Sequence, residues 1–482
     1  MIRKLFPGFV RERVISNECE KSFSNHLEHA AGTNDVCRDA QFGRLYKRRS
    51  SGMAGLETYA PRITIIRILV FSKRKTATPV MSKSIGTAFV PYFLPLRRAF
   101  RRLERNIRLF LTAVLSGVVF QLMAQSSSGK LHLLFFGDLM LHGQQLESAY
   151  HQETGTYTFD EVFRYIAPYL SAPDFCIGNL EVPLGVKPYR GYPLFGAPPG
   201  IAGAAKRAGV DVLVTANNHA ADRRNKGIER SIQILDSTGI LHTGTFAGTA
   251  EKQLNYPLML EKNGIRVALY NATYGTNGIP VPPPAIVNTL GDGNLLRDIL
   301  VDYHVPDSIF KIAFLHWGLE YRDLPTGKQK TLAGQLFDAG IHLVTGSHPH
   351  VIEPMEYDSI SRKGVVYSLG NFVSNQRKTR TSGGAMVLAV LSAAEGHTQL
   401  VSLHYLLVWV YKKPREDGRY MFYVLPADEF SFKPSFFDNN GYRQMLDFIS
   451  HSRKLLHTHN RNVREYRPYT EAFLSLFAGE MK

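Results

Sequence analysis

Six short apolar runs along the chain share one design: a β-rich segment that breaks at once into Gly, Asn, Asp, Glu or His. Residues 131–136 run into Gly137-Asp138, residues 174–177 into Gly178-Asn179-Leu180-Glu181, and residues 210–214 into Thr215-Ala216-Asn217-Asn218-His219. Further on, residues 312–315 lead to His316-Trp317-Gly318-Leu319-Glu320, residues 341–344 to Thr345-Gly346-Ser347-His348-Pro349-His350, and residues 365–368 to Leu369-Gly370-Asn371-Phe372. Continuous apolar runs of this length suit strands buried on both faces. Between them the spacing predicts helices over 159–170, over 201–208 with Gly209 as C-cap, over 228–237 ending at Gly239, and over 329–339 ending at Gly340. Strands alternating with helices predict an α/β domain with a largely parallel sheet, whose ligands bind outside the carboxyl ends of the strands. All six polar clusters fall at such ends.

From Gly384 the pattern changes. Residues 386–391, 399–410 and 420–425 read as strands joined by turn-rich segments, expected to form a second sheet or its edge. Residues 438–482 read as a terminal helix and a polar tail, and 275–284 as a Pro/Gly-rich loop at a rim. The chain therefore divides into a basic segment 1–80, a leader 81–125, a folded domain 131–430 and a C-terminal helical extension 431–482.

Charge removes one class of function. Residues 1–130 carry 23 Lys and Arg against 8 Asp and Glu, whereas the remainder carries 34 against 33. The net charge of +16 thus belongs to the leader, and the folded body has no basic field for nucleic acid. Six arginines between Arg97 and Arg108 precede the apolar stretch 109–124, which is followed by small polar residues. This is the layout of a signal peptide cut after Ala124, or of an uncleaved signal anchor, although the stretch is shorter than the ~20 residues a spanning helix needs. The expectation is an exported protein, periplasmic or at the cell surface, that touches membrane only if the leader stays. The basic segment 1–80 is either outside the functional product, which then starts near Met81, or a cytoplasmic tail. Cys176 is the one cysteine of the body and reads as a small buried hydrophobe.

Asp, Glu, Asn and His are the side chains that bind hard or borderline divalent metals, and imidazole with carboxylate suits Zn, Mn or Fe. His348 and His350 flank Pro349, and residues i and i+2 of an extended segment point the same way. Singly, each candidate has a structural reading: Asp138 as a helix cap, His316 as a core histidine, Asn218 as a turn residue. Together at one sheet edge they read as a metal site. His132 and His342 lie within strands and read as structural.

The ordered segments GDLML (137–141), GNLE (178–181), ANNH (216–219), HWGLEY (316–321), GSHPHV (346–351) and YSLGNF (367–372) resemble those of CapA-type poly-γ-glutamate capsule biosynthesis proteins. That family is itself similar to calcineurin-like metallophosphoesterases. The resemblance covers about residues 131–375 and implies a four-layer α/β/β/α sandwich with one or two divalent ions at one edge of two sheets. By position it implies metal ligands at Asp138, Glu181, Asn218, His316, His348 and His350. His219 would protonate a leaving group, with Asp222 orienting it. Arg190, Tyr192, Tyr321 and Arg322 lie in loops where an anionic substrate would be met. One departure stands out: the phosphoesterase Asp-x-His motif has Met140 in place of its histidine here, with His142 as the alternative donor. Two functions follow. One is a phosphoesterase-like hydrolase in cell-envelope or capsule polymer metabolism. The other is a non-catalytic component of the capsule or envelope machinery that binds or exports an anionic polymer such as poly-γ-glutamate. A ligase lacks support, since no phosphate-cradling loop ending in Lys-Ser/Thr is found.

Overall fold

A computed structural model describes residue 107 and residues 129–466 apart from 395–396. The basic segment 1–80, the signal sequence or anchor within 81–125, and the end of the C-terminal extension lie outside the described residues. Among the described residues no helix is long and apolar enough to cross a membrane.

The first half supplies β1 (Lys130–Leu139), β2 (Phe175–Leu180), β3 (Val212–Val214) and β4 (Leu241–Thr243), all parallel neighbours in that order. The chain then builds β5 (Leu258–Lys262), β6 (Ile265–Thr273), β7 (Phe310–His316), β8 (Leu343–Ser347), β9 (Met355–Asp358) and β10 (Lys363–Val366). These form a second sheet in the order β9-β10-β8-β7-β6-β5, parallel at its centre and antiparallel at both edges. Finally β11 (Asn371–Val373) pairs with the end of β1, and β12 (Gly383–Ala394), β13 (His397–Pro414) and β14 (Tyr420–Pro426) extend the first sheet antiparallel from β1.

Two expectations are corrected. The three late strands do not make a second sheet or its edge. They take the free side of β1, where 12-residue β12 satisfies a row of backbone groups that would otherwise be an open edge. The second sheet comes instead from β5–β10. The single helix expected over 159–170 is broken into Asp160–Phe163 and Ala167–Leu170, because Pro168 lacks the N–H needed to continue the ladder. The other three helices form as Gly200–Arg207, Arg224–Thr238 and Gly327–Asp338. Gly239 closes the second of them in the left-handed conformation at φ 71°.

Alternation within the strands assigns each side chain to a layer. Leu133 and Phe135 of β1 face Val267, Ile312 and Phe314 of the second sheet, forming the core between the sheets. Their neighbours Leu134 and Phe136 face the other way, onto helical residues such as Phe163, Ile201, Ala204 and Leu235. On the far side, Ala268, Tyr270, Ala313 and Leu315 pack against Leu295, Ile299, Ala333 and Leu336. The order is helix, sheet, sheet, helix. Phe135 and Phe314 meet edge-on at 6.3 Å across the middle, and burial of each such ring is worth about 1.5–3 kcal/mol. Face-to-face sheets bring the carboxyl ends of β1, β2, β3, β7 and β8 to one rim.

Candidate metal centre

Asp138 is the penultimate residue of β1, where Gly137 and Gly370 let two backbones touch: a Cβ on Gly137 would lie 1.9 Å from the Gly370 carbonyl oxygen. Glu181 follows β2, its N–H donating to the Leu139 carbonyl at 3.0 Å. His316 is the last residue of β7, and His348 and His350 follow β8. All five are buried. Their donor atoms form overlapping triads, Asp138 with Glu181 and His350, and Glu181 with His316 and His348, each triad lying within 4.8 Å.

His350 Nδ1 sits 3.0 Å from Asp138 Oδ2. His316 Nε2 sits 2.9 Å from Asn218 Oδ1, and its Nδ1 2.9 Å from Ser347 Oγ. Asn179 holds the acids in register, its Nδ2 donating to Asp138 Oδ1 at 2.9 Å and to Glu181 Oε2 at 3.5 Å. Asn217 supports it in turn, donating to Asn179 Oδ1 at 3.3 Å and to the Leu180 carbonyl at 2.7 Å. Neither Asn179 nor Asn217 was singled out from sequence. Their presence inside the GNLE and ANNH segments was the available signal, but an amide orienting ligands cannot be told from a turn amide without the fold.

Burial raises the Asp138 carboxyl, but His350 and the amide of Asn179 outweigh it and hold the group below the usual carboxylate range. Glu181 moves the other way, pushed well up by burial and then by the Asp138 charge. Burial, reinforced by neighbouring imidazoles, drives His316 well down and His348 to about 3. His316 and His348 are thus held as neutral imidazoles, the form that donates a lone pair to a metal.

Within the five-residue cluster, Glu181 Oε1 and His348 Nδ1 are buried without a hydrogen-bond partner among the described residues. Glu181 Oε1 faces the Nε2 atoms of His316 and His350 at 3.5 and 3.8 Å without bonding either. Buried polar atoms left so are costly, and these two belong to the converging triads. The donor set therefore fits a divalent ion. Met140 turns into the outer-layer core and offers nothing to the cluster. His142, the alternative, receives the Asn375 N–H on Nδ1 at 3.3 Å and packs edge-on against Phe195, and it belongs to none of the converging triads among the described residues.

Beside the cluster, His219 Nδ1 lies 2.8 Å from Asp222 Oδ2, which also accepts the Phe195 N–H at 2.7 Å. The Phe195 ring stands edge-on to His219 at 4.6 Å. Tyr274, also not anticipated, covers His348 at 4.6 Å and lies parallel to His316 at 6.3 Å. Of the four loop residues, Tyr321 approaches His350 at 6.1 Å between ring centres and Tyr192 approaches Phe195 at 6.3 Å. Arg190 and Arg322 are exposed, and no hydrogen bond or ion pair among the described residues links their side chains to the cluster.

Fold and site together define a two-sheet α/β sandwich protein with a carboxylate–imidazole cluster at the sheet rim. Residues 132–376 match the family model described as bacterial capsule synthesis protein PGA_cap, and the chain belongs to that family. It is 31% identical over 275 residues to "Capsule biosynthesis protein CapA" of Bacillus anthracis, covering 54% of this chain and 63% of that one. It is 30% identical over 278 residues to "PGA biosynthesis protein CapA" of Bacillus subtilis (strain 168), covering 52% and 66%. The match thus spans just under two thirds of either relative. Among solved structures, the calcineurin-like phosphoesterase YfkN from Bacillus subtilis is similar at 13% identity and a TM-score of 0.35, over 58% of this chain and 90% of that one. A hypothetical protein from Thermus thermophilus is similar at 15% identity and a TM-score of 0.34, over 57% and 98%. At such scores the fold rests on the layers and strand order given above.

Proposed function

We infer that this protein is a metal-dependent hydrolase of a phosphoester or another anionic ester, acting at the cell envelope in capsule or surface-polymer metabolism. The observation that carries the reading is the convergence of buried Asp138, Glu181, His316, His348 and His350, with Glu181 Oε1 and His348 Nδ1 lacking a hydrogen-bond partner among the described residues. Those five residues and Asn218 would hold one or two ions of Mn, Fe or Zn. A bound divalent ion supplies Lewis acidity toward an anionic ester.

The chain's own residues do the rest. Asp222 fixes the His219 ring through Nδ1, leaving Nε2 to carry a proton toward a leaving group. Phe195 walls that imidazole off from water on one face. Tyr192, three-quarters exposed, and Tyr321 stand at the mouth, where a substrate would pass. Arg190 and Arg322 would serve a longer polymer rather than the reacting group. Membership of a capsule synthesis family, with relatives named for capsule and PGA biosynthesis, supports an envelope setting. That membership and the leader in the sequence support an exported, periplasmic or surface location.

The placement of Met140 in the core favours a second reading, because it costs the site one donor. In that reading the protein binds or exports an anionic polymer such as poly-γ-glutamate without chemistry. One experiment separates them. The purified protein is assayed for metal content and for hydrolysis of generic phosphodiesters and monoesters with Mn, alongside the variant carrying His348→Ala and His350→Ala. The hydrolase reading expects bound metal and turnover that the double substitution abolishes. Turnover untouched by the double substitution would sink it, and metal binding without turnover would favour the second reading.

A further inference from the structure

Three tyrosines from separate stretches of the chain, none of them used above, line one cleft. Tyr150 and Tyr157 face each other across a hairpin of two-residue strands, Tyr150–His151 and Thr156–Tyr157, with ring centres 5.0 Å apart. Tyr189 stands at right angles to Tyr157 at 5.5 Å. Pro198 and Pro199 extend the apolar wall, and Lys187 is the one charged residue of the lining. The cleft holds about 570 Å³, within the range of ligand sites.

Its walls are fixed from several sides. The hairpin is braced by Thr154 Oγ1 and Thr156 Oγ1 at 2.7 Å and by His151 Nε2 and Thr158 Oγ1 at 2.6 Å. At Gly200 a Cβ would lie 2.6 Å from the Tyr157 carbonyl oxygen, so a glycine is what lets the two backbones close on each other. Opposite the hairpin, the Pro188 carbonyl accepts from Arg223 Nη2 at 2.8 Å, which holds the segment carrying Lys187 and Tyr189. That segment runs on through the paired Arg190 and Gly196, and includes Phe195, the ring that stands against His219. The cleft and the metal rim therefore share one loop. The hydroxyls of the three tyrosines and Lys187 Nζ make no hydrogen bond or ion pair with another of the described residues, so these groups are free to meet a ligand.

A sugar ring presents an apolar face of C–H groups with hydroxyls around its edge. Tyrosine matches both, with a flat apolar face and a polar tip. The single ammonium among the rings adds a place for an anionic group. A polyglutamate chain fits less well: it has a carboxylate on every residue and no ring, and charges placed against aromatic walls without partners are costly. We propose that this cleft binds an acidic glycan, a chain of sugar rings carrying carboxylates, as a polymer subsite on the loop that leads to the metal centre. The proposal rests on the surface-polymer part of the reading above and not on its chemistry, since the cleft binds whether or not the metal centre turns over an ester.

The test is calorimetric titration of the full chain, in the presence of a chelator, with an oligogalacturonate, a neutral malto-oligosaccharide of the same length, and poly-γ-glutamate. Wild type is compared with Tyr150→Ala and Lys187→Gln. Tyr150 is 36% exposed and Lys187 is exposed, so both variants should keep the wild-type thermal midpoint, which is measured as a control of folding. The expected result is that oligogalacturonate binds more tightly than either other probe and that each substitution weakens it about fivefold or more. Hydrolysis of bis(p-nitrophenyl) phosphate by the metal-loaded variants should stay at the wild-type rate. No binding of oligogalacturonate, binding that neither substitution weakens, or equal or tighter binding of the neutral glycan or of poly-γ-glutamate would each overturn the proposal. Glycan binding as expected, with no ester hydrolysis by wild type, would overturn the hydrolase reading and leave this one standing.

Discussion

Glu353 is buried, with Oε2 accepting from Gln329 Nε2 at 2.7 Å and Oε1 without a partner among the described residues. Burial pushes its carboxyl from the ordinary 4.5 up to about 8, against the lowering effect of the Gln329 bond. In the folded protein the group is therefore protonated at neutral pH, while in the unfolded chain it is ionised. The folded state binds the extra proton, so stability falls as pH rises from the unfolded value toward the folded one, and levels off above about 8. With 1.36 kcal/mol per pKa unit, the group alone lowers stability by about 3 kcal/mol between pH 5.5 and 8.5. Glu353→Gln removes the titration while keeping an acceptor for Gln329. Its amide nitrogen falls where Oε1 was unpaired, so the absolute stability of the variant is not the readout; the pH slope is. Urea unfolding at several pH values, with metal chelated, compares the two proteins. The expected outcome is that the wild type loses about 3 kcal/mol more than Glu353→Gln across that range. Parallel profiles would refute the reasoning and mean that Glu353 is ionised, hydrated or relaxed in the fold.

Two further outcomes follow from other parts of the structure. Asp222→Asn should lower kcat for ester hydrolysis by about 10–100-fold through loss of His219 orientation, with KM and metal content unchanged; a change confined to KM would contradict the positioning role. Phe314→Ala empties the core between the two sheets and should cost about 3–5 kcal/mol in urea unfolding; a cost below about 1 kcal/mol would mean the sheets do not pack as described.

Much of the rim was legible because its signal is local. A buried strand needs a continuous apolar run, and the chain can place Asp, Asn, Glu or His only where that run ends. Asp138, Asn218, His316, His348 and His350 could therefore be picked out at strand ends before any fold was known, and the family resemblance added Glu181. The order of their segments pointed to the family that the match over residues 132–376 establishes.

What the tertiary structure alone decided is partnership. The alternation in β12–β14 makes them strands, but nothing in their sequence says that they close the open side of β1 rather than forming a sheet of their own. That choice is made by which backbone edge is free and by the burial on each face. Asn179 and Asn217 look like turn amides until the sheets bring the acids and imidazoles around them. Tyr150, Tyr157 and Tyr189 look like scattered loop aromatics until the fold lines them along one cleft. Asp138 and His350 lie 212 residues apart in the chain and 3.0 Å apart in space. Sequence spacing fixes which residues reach the rim, whereas the packing of one sheet on the other fixes which of them meet.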